Sequence, residues 1–309
     1  MKEVVKFPQV VKVGCGIDVH RDIIVATIGK NNDEFETREF DAYTSSLTSL
    51  RDWCKTEQVT HVAMESTGVY WKPVFNVLEE DFDIILVNAR HVKNVPGHKT
   101  DKADSRWISK LLLSGLLKGS FIPPVDIREL RDLVRYKKKV VAQAASEKNR
   151  IIKILEDGNI KLSSVLSNID GAVGTKIINS LIQGQTDINE LAKFYHGKMK
   201  VSKTEFRMAL EGRISTHHRL MLQFHQDSIA DKERLIERID AAIEVATKAY
   251  QVEIDLLQTI PGVGKDSAIC IISEIGADMS KFPNENHLSS WAGMSPGNNE
   301  TGGKKKMSE

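Results

Sequence analysis

Residues 11–41 read VKVGCGIDVHRDIIVATIGKNNDEFETREFD. Apolar and polar residues alternate through VKVGCGIDV, DIIVATIG and EFETREF in the manner of β-strands, and GKNNDE supplies a turn between the last two. Further along, SSLTSLRDWC (45–54) has helical spacing with Ser and Thr at its start. THVAMES (60–66) reads as a strand, YWKPVFNVLEE (70–80) as a helix and DIILV (83–87) as a strand. From Lys102 to Leu117 the pattern is an amphipathic helix, ended by Gly119 and then Pro123–Pro124. Three antiparallel strands followed by helix–strand alternation give an α/β sheet in the order βββαβαβα, the order of ribonuclease-H-like folds.

Four carboxylates fall at chemically suggestive points of that pattern. Asp18 closes the apolar run VGCGID and Glu65 closes THVAME, while Asp101 and Asp104 lie three apart in HKTDKADS. The spacing puts the last two on one face of a helix. Carboxylates that converge repel one another unless a cation lies between them, and hard oxygen ligands suit Mg²⁺ or Mn²⁺. Two-metal phosphoryl transfer needs such a cluster. Taken singly, each acid is equally a turn cap or a helix start favoured by the helix dipole.

Beyond the sheet, IRELRDLVRYKKKVVAQAASEKNRIIKILE (127–156) is one long helix without Gly or Pro. A less regular stretch follows, punctuated by Gly158, Gly171, Gly174, Gly184 and Gly197. A second long helix is predicted from about Thr216 to Val252, with Leu220, Leu222, Ile229, Leu235, Ile239 and Ile243 at near-heptad intervals. The two helices pack on each other, on a second copy as a coiled coil, or within a compact bundle. LLQTIPGVGKDSAICIISEIG (256–276) reads as helix, tight turn, helix. Three regions follow: 8–124, the α/β part; 125–252, helical with coiled-coil character; and 253–309, mainly helical and partial, since the chain ends in a glycine-rich, basic tail.

Composition bounds the remaining possibilities. Of the 309 residues, 41% are apolar and 28% charged, as in an ordinary water-soluble protein of two or three domains. No apolar run approaches a membrane span, and MKEVVKFPQVVK lacks a signal-peptide core. Cys15, Cys54 and Cys270 are odd in number and far apart, which argues for a reducing cytoplasm and for buried small hydrophobes rather than disulfides or zinc. The net charge of +1 hides a local field: from Arg90 to Lys153 there are sixteen Lys and Arg against six acids. Lys99, Lys102, Lys137, Lys138 and Lys139 are the candidate phosphate contacts in that stripe, which is otherwise a solvated helix face. In IPGVG (260–264), Gly262 and Gly264 would let backbone N–H groups, with Lys265, approach a phosphate at a helix N-terminus, without reading base sequence. The tail offers Ser289, Ser290, Ser295, Thr301 and Ser308 as hydroxyls.

GIDVH, AMESTGVYW, HKTDKADS, IPGVG and SWAGMSPGNNETGGK, in this order and spacing, resemble the DEDD transposases of the IS110 insertion-sequence family. The resemblance spans nearly the whole chain. It implies a RuvC-like nuclease domain, a coiled-coil middle and a C-terminal transposase domain with a helix-hairpin-helix. It also implies an oligomer, a dimer or tetramer, that works with a structured guide RNA on donor and target DNA. Asp18, Glu65, Asp101 and Asp104 match the acidic quartet that binds Mg²⁺. The family's covalent serine nucleophile aligns with Thr301, which keeps the hydroxyl but adds a methyl that crowds in-line attack. Family members continue past this loop, whereas the chain ends eight residues after Thr301, so a remnant that recombines poorly is also expected.

The leading reading is a transposase or recombinase that cleaves and exchanges DNA strands. A structure-selective nuclease of the Holliday-junction type would need only the N-terminal acids. A nucleic-acid-binding remnant without catalysis is the reading from another class.

Overall fold

The computed structural model describes residues 9–31, 34–66, 68–87, 101–294, 300–301 and 304–305. The chain divides into two compact units, Met1–Ile122 and Pro123–Glu309.

The first unit is a mixed five-stranded sheet. β1 (Gly14–Val19), β2 (Ile23–Asn31) and β3 (Glu34–Asp41) form the antiparallel meander that the alternation predicts, and β4 (His61–Glu65) and β5 (Asp83–Val87) join in parallel, giving the order β3-β2-β1-β4-β5. This arrangement is consistent with a ribonuclease-H-like sheet. Side chains alternate between its faces. Cys15, Ile17, Val19, Val62 and Met64 enter one core, with Leu47, Leu50 and Trp53 of α1 (Thr44–Thr56) and Val74, Phe75 and Leu78 of α2 (Trp71–Leu78). Ala63 and Val87 point to the other face, under Ile108 and Leu112 of α3 (Asp101–Leu113). α3 stops four residues before the predicted Leu117, because Gly115 takes a left-handed φ of 67° and turns the chain.

In the second unit α4 (Val125–Asp157) runs beside the second long helix. Between them lie α5 (Leu162–Val165), α6 (Ala172–Ile182), α7 (Ile188–Ala192) and α8 (Lys203–Met208). The second long helix, α9 (Thr216–Thr247), starts behind a capping box made by Ser215 and His218. It packs directly against α4, antiparallel, since Asp157 meets His218 at one end and Lys137 meets Asp240 towards the other. Ile151, Leu155, Ile177, Phe206 and Leu222 build one core, and Ile127, Leu130, Ile239, Ile243, Ile254 and Ile272 another. Leu220 departs from its heptad expectation: it is half exposed. α10 (Gln251–Gln258), α11 (Lys265–Ile275) and α12 (Glu285–Trp291) follow, then the short pair β6 (Glu300–Thr301) and β7 (Lys304–Lys305).

All three cysteines are free; Cys15 and Cys54 are buried, but Cys270 is exposed, contrary to the expectation of three buried thiols. It sits on the outer side of α11, away from the Ala268, Ile269 and Ile272 that enter the core. Among the described residues no helix is long and apolar enough to cross a membrane.

Candidate functional site

Asp18 and Glu65 are brought together by strand register. β1 and β4 are parallel with Ile17 opposite Met64, so the two acids occupy the next rung, on the face opposite that core pair. Asp18 is buried at 8% exposure, and its Oδ2 lies 3.1 Å from Nε2 of His20, a residue of the β1–β2 turn for which the sequence alone indicates no role. Glu65 is half-buried.

The third contributor is α3, and its approach depends on glycine. A Cβ built on Gly16 would lie 2.2 Å from the Ser109 amide nitrogen and 2.4 Å from the Ser105 carbonyl oxygen. Such distances are inside any van der Waals contact, so only glycine lets the helix backbone rest on β1. One step earlier, Gly14 faces Leu112 and Leu113. Moving along β1 from Gly14 to Gly16, the helix residues overhead thus fall from Leu112 to Ser105, and the first turn of α3 lies towards the Asp18 end. Hydroxyls complete the seam: Thr27 Oγ1 lies 2.8 Å from Ser105 Oγ and 2.8 Å from Thr37 Oγ1, while Ser109 donates to the Gly14 carbonyl at 3.4 Å. Asp101 opens α3, and Asp104 is an exposed residue of its first turn. The Asp101 side chain lies outside the described residues, among which no three His, Cys, Asp or Glu side chains converge as a metal-binding group. The GCG of GCGID carried the missing signal: alternate glycines on the face that holds Asp18.

The basic stripe divides into free and engaged cations. Lys138 and Lys139 are exposed, with no ion pair among the described residues. Lys102 Nζ pairs with Glu39 Oε1 at 2.8 Å. Lys137, expected to contact phosphate, instead ties three helices: its Nζ is 2.6 Å from Asp240 of α9 and 3.6 Å from Asp266 of α11. Arg131 donates to the carbonyls of Ser273 (3.0 Å) and Glu274 (2.7 Å), and Arg135 makes a two-pronged pair with the Glu274 carboxylate at 2.8 and 2.7 Å. The hydrogen bond from Arg135 holds Glu274 below the usual carboxylate range, against the opposing effect of burial. Lys99 lies outside the described residues.

The hairpin between α10 and α11 is a tight turn in which Val263 N–H donates to the Ile260 carbonyl at 3.0 Å. Pro261 and Gly262 are its central residues, and Gly262 has φ 88°, as a type II turn requires. Gly264 is the N-cap of α11 with extended backbone, Lys265 is the first helical residue, and a Cβ on Gly262 or Gly264 would meet nothing within 4 Å. Backbone there is thus open on its outer side. Thr301 pairs with Lys304 in β6–β7; its side chain, and those of Ser295 and Ser308, lie outside the described residues.

Residues 15–160 match the DEDD transposase profile of the IS110 family, and residues 254–309 match the profile described as Transposase IS116/IS110/IS902 family. The first span contains all four acids, and the second contains IPGVG and Thr301. No curated protein matches the chain.

Proposed function

Because the chain belongs to the IS110 family of transposases, we propose that it is a metal-dependent enzyme that cleaves and exchanges DNA strands during transposition. The observation that carries this reading is the adjacency of Asp18 and Glu65 on neighbouring parallel strands, beneath the helix that opens with Asp101 and Asp104. Asp18, Glu65, Asp101 and Asp104 hold Mg²⁺ or Mn²⁺; such a donor set of carboxylate oxygens, one of them almost fully buried, fits a hard cation. When bound, the cation supplies charge stabilisation to the phosphate oxygens. His20 Nε2, 3.1 Å from Oδ2 of Asp18, orients that carboxylate. Gly16 lets α3 settle on the sheet. The open backbone at Gly262 and Gly264, with Lys265, grips a DNA phosphate, and Lys138 and Lys139 add phosphate contacts.

Thr301 is the nucleophile: its Oγ1 forms a bond to phosphorus as the ester bond to a strand oxygen breaks, and the hydroxyl proton passes through water to that leaving oxygen. In this reading the unit of residues 8–124 is RuvC-like, 125–252 is the coiled-coil region and 253–309 the transposase domain, acting as a dimer or tetramer with a guide RNA.

Strand exchange with matched donor, target and guide RNA tests it. Asp18→Ala and Glu65→Ala each abolish strand cleavage while guide-RNA binding stays within a few-fold; full activity in either variant refutes the acid assignment. Thr301→Ala abolishes the covalent protein–DNA adduct, and recombination that survives it removes Thr301 from the reaction.

A further inference from the structure

The outer flank of α3 carries Lys102, Arg106 and Lys110, four residues apart and so stacked along one face, about 6 Å from each to the next. Arg106 Cζ lies 4.7 Å from the ring centroid of Phe35 on β3, and Lys110 Nζ lies 5.5 Å from the same centroid. A single cation is enough for a cation–π contact between helix and strand. Here two like charges share one ring, and neither has an acidic partner among the described residues. Two glutamates of β3 are engaged elsewhere. On the α3-facing side of β3, Glu39 pairs with Lys102, whereas Glu36 pairs with Arg38, whose guanidinium stacks over Trp53 on the α1 side. Two mutually repelling cations at one ring suit a phosphate, and a guanidinium can meet one through its edge N–H groups.

The same helix begins at Asp101 and Asp104. We propose that Arg106 and Lys110, held side by side over Phe35, grip the backbone of the DNA strand entering the acid cluster, so that the outer face of α3 is a phosphate track leading to the site of cleavage. The track rests on the reading that the acids cleave DNA. Arg106 and Lys110 are positioning residues: they set where the strand lies and stay out of the bond changes. DNA is the occupant because the track ends at the acids, and the strand cleaved there is DNA.

Binding of the full chain to labelled single-stranded DNA, measured by fluorescence anisotropy without divalent metal across a salt series, tests the track separately from cleavage. Replacing both cations, R106Q with K110Q, is expected to weaken DNA binding on the order of tenfold and to reduce the log–log salt slope by about 1.4, the value for two phosphate contacts on a single strand. K110Q alone, which leaves Arg106 over Phe35, gives about half that change and serves if the double variant folds poorly. R106K with K110R keeps the slope. A charge-matched control, K176Q with K203Q on exposed helix positions in the second unit, leaves it unaltered. The track is overturned by an unchanged slope in K110Q, by an equal fall in the control, or by a loss confined to RNA of the same sequence. Loss of cleavage in Asp18→Ala is scored in a different assay, so a failed acid assignment and a failed track are told apart.

Discussion

Beyond their apolar cores, the two units hold their main helices by different means. In the first, α3 rests on β1 where side chains are missing: Gly14 and Gly16 remove the obstacle, and small hydroxyls from Thr27, Ser105 and Ser109 fill what is left. In the second, α4, α9 and α11 are joined by long charged side chains that cross the seams, namely Arg131, Arg135, Lys137 and Glu147. A seam made by backbone approach has no slack in volume and little dependence on charge. A seam made by ion pairs accepts changes in size but responds to protonation. For the acid site proposed above, the first arrangement would keep positions fixed, and a misplacement of about 1 Å costs catalysis heavily.

Gly16→Ala gives the largest effect. Its Cβ would sit 2.2 Å from a backbone nitrogen, which cannot swing aside, so α3 must lift from the sheet. We expect a loss of about 3–5 kcal/mol in urea denaturation, with strand cleavage lost as well. Gly14→Ala sharpens the point, because its nearest neighbour is a terminal Leu112 methyl at 2.8 Å that can rotate away; about 1 kcal/mol is expected there. Equal costs at the two sites would break the argument that backbone approach defines this seam.

Arg131→Met comes next. It keeps bulk against α11 but leaves the Ser273 and Glu274 carbonyls without their donor, and about 1–3 kcal/mol should be lost in the second unit. Stability within 0.5 kcal/mol of the parent would show that apolar packing alone carries the contact.

These two seams also explain what the sequence made legible. The strands and the positions of Asp18 and Glu65 could be read because a period of two is local and needs no tertiary partner. Gly16 could not, since a glycine in a strand is equally a bulge or a weak point until the helix above it is known. The engaged part of the basic stripe is hidden for the same reason: Arg131, Arg135 and Lys137 meet acids or carbonyls more than a hundred residues away, and no local pattern announces those partners. The left-handed turn at Gly115 likewise shortened a helix whose apolar periodicity continued.

The protonation dependence of the second seam centres on Glu147, buried on α4 between His225 Nδ1 and Arg150 Nη1, both at 2.6 Å. Burial works to raise its carboxyl, but the hydrogen bonds from His225 and Arg150 outweigh it and hold the group below the usual range. A depressed carboxyl adds stability that is fully present above its ordinary value near 4.5 and disappears as pH falls through the lower, folded-state value. The gap in urea midpoint between the parent and Glu147→Gln should therefore be widest near pH 7 and shrink below pH 4.5. A gap constant from pH 7 to pH 3 would assign the site to shape rather than charge.

Gly264→Ala is the smallest change to the fold and bears most directly on nucleic-acid binding. Its φ is −85° with ψ 174°, a conformation open to any residue, and a Cβ there meets nothing within 4 Å. Stability should stay within about 0.5 kcal/mol of the parent. Gly262, by contrast, holds φ 88° in the same turn, so Gly262→Ala strains the backbone by about 1 kcal/mol and confuses folding with binding. The added methyl at position 264 stands where a phosphate would approach the first amides of α11. If the hairpin grips DNA through its backbone, affinity for double-stranded DNA falls several-fold and the salt slope drops by about 1 with no change in unfolding. An unchanged slope in that well-folded variant would leave the hairpin as a plain helix–helix turn, and nucleic-acid contact in this unit would then rest on Lys138 and Lys139.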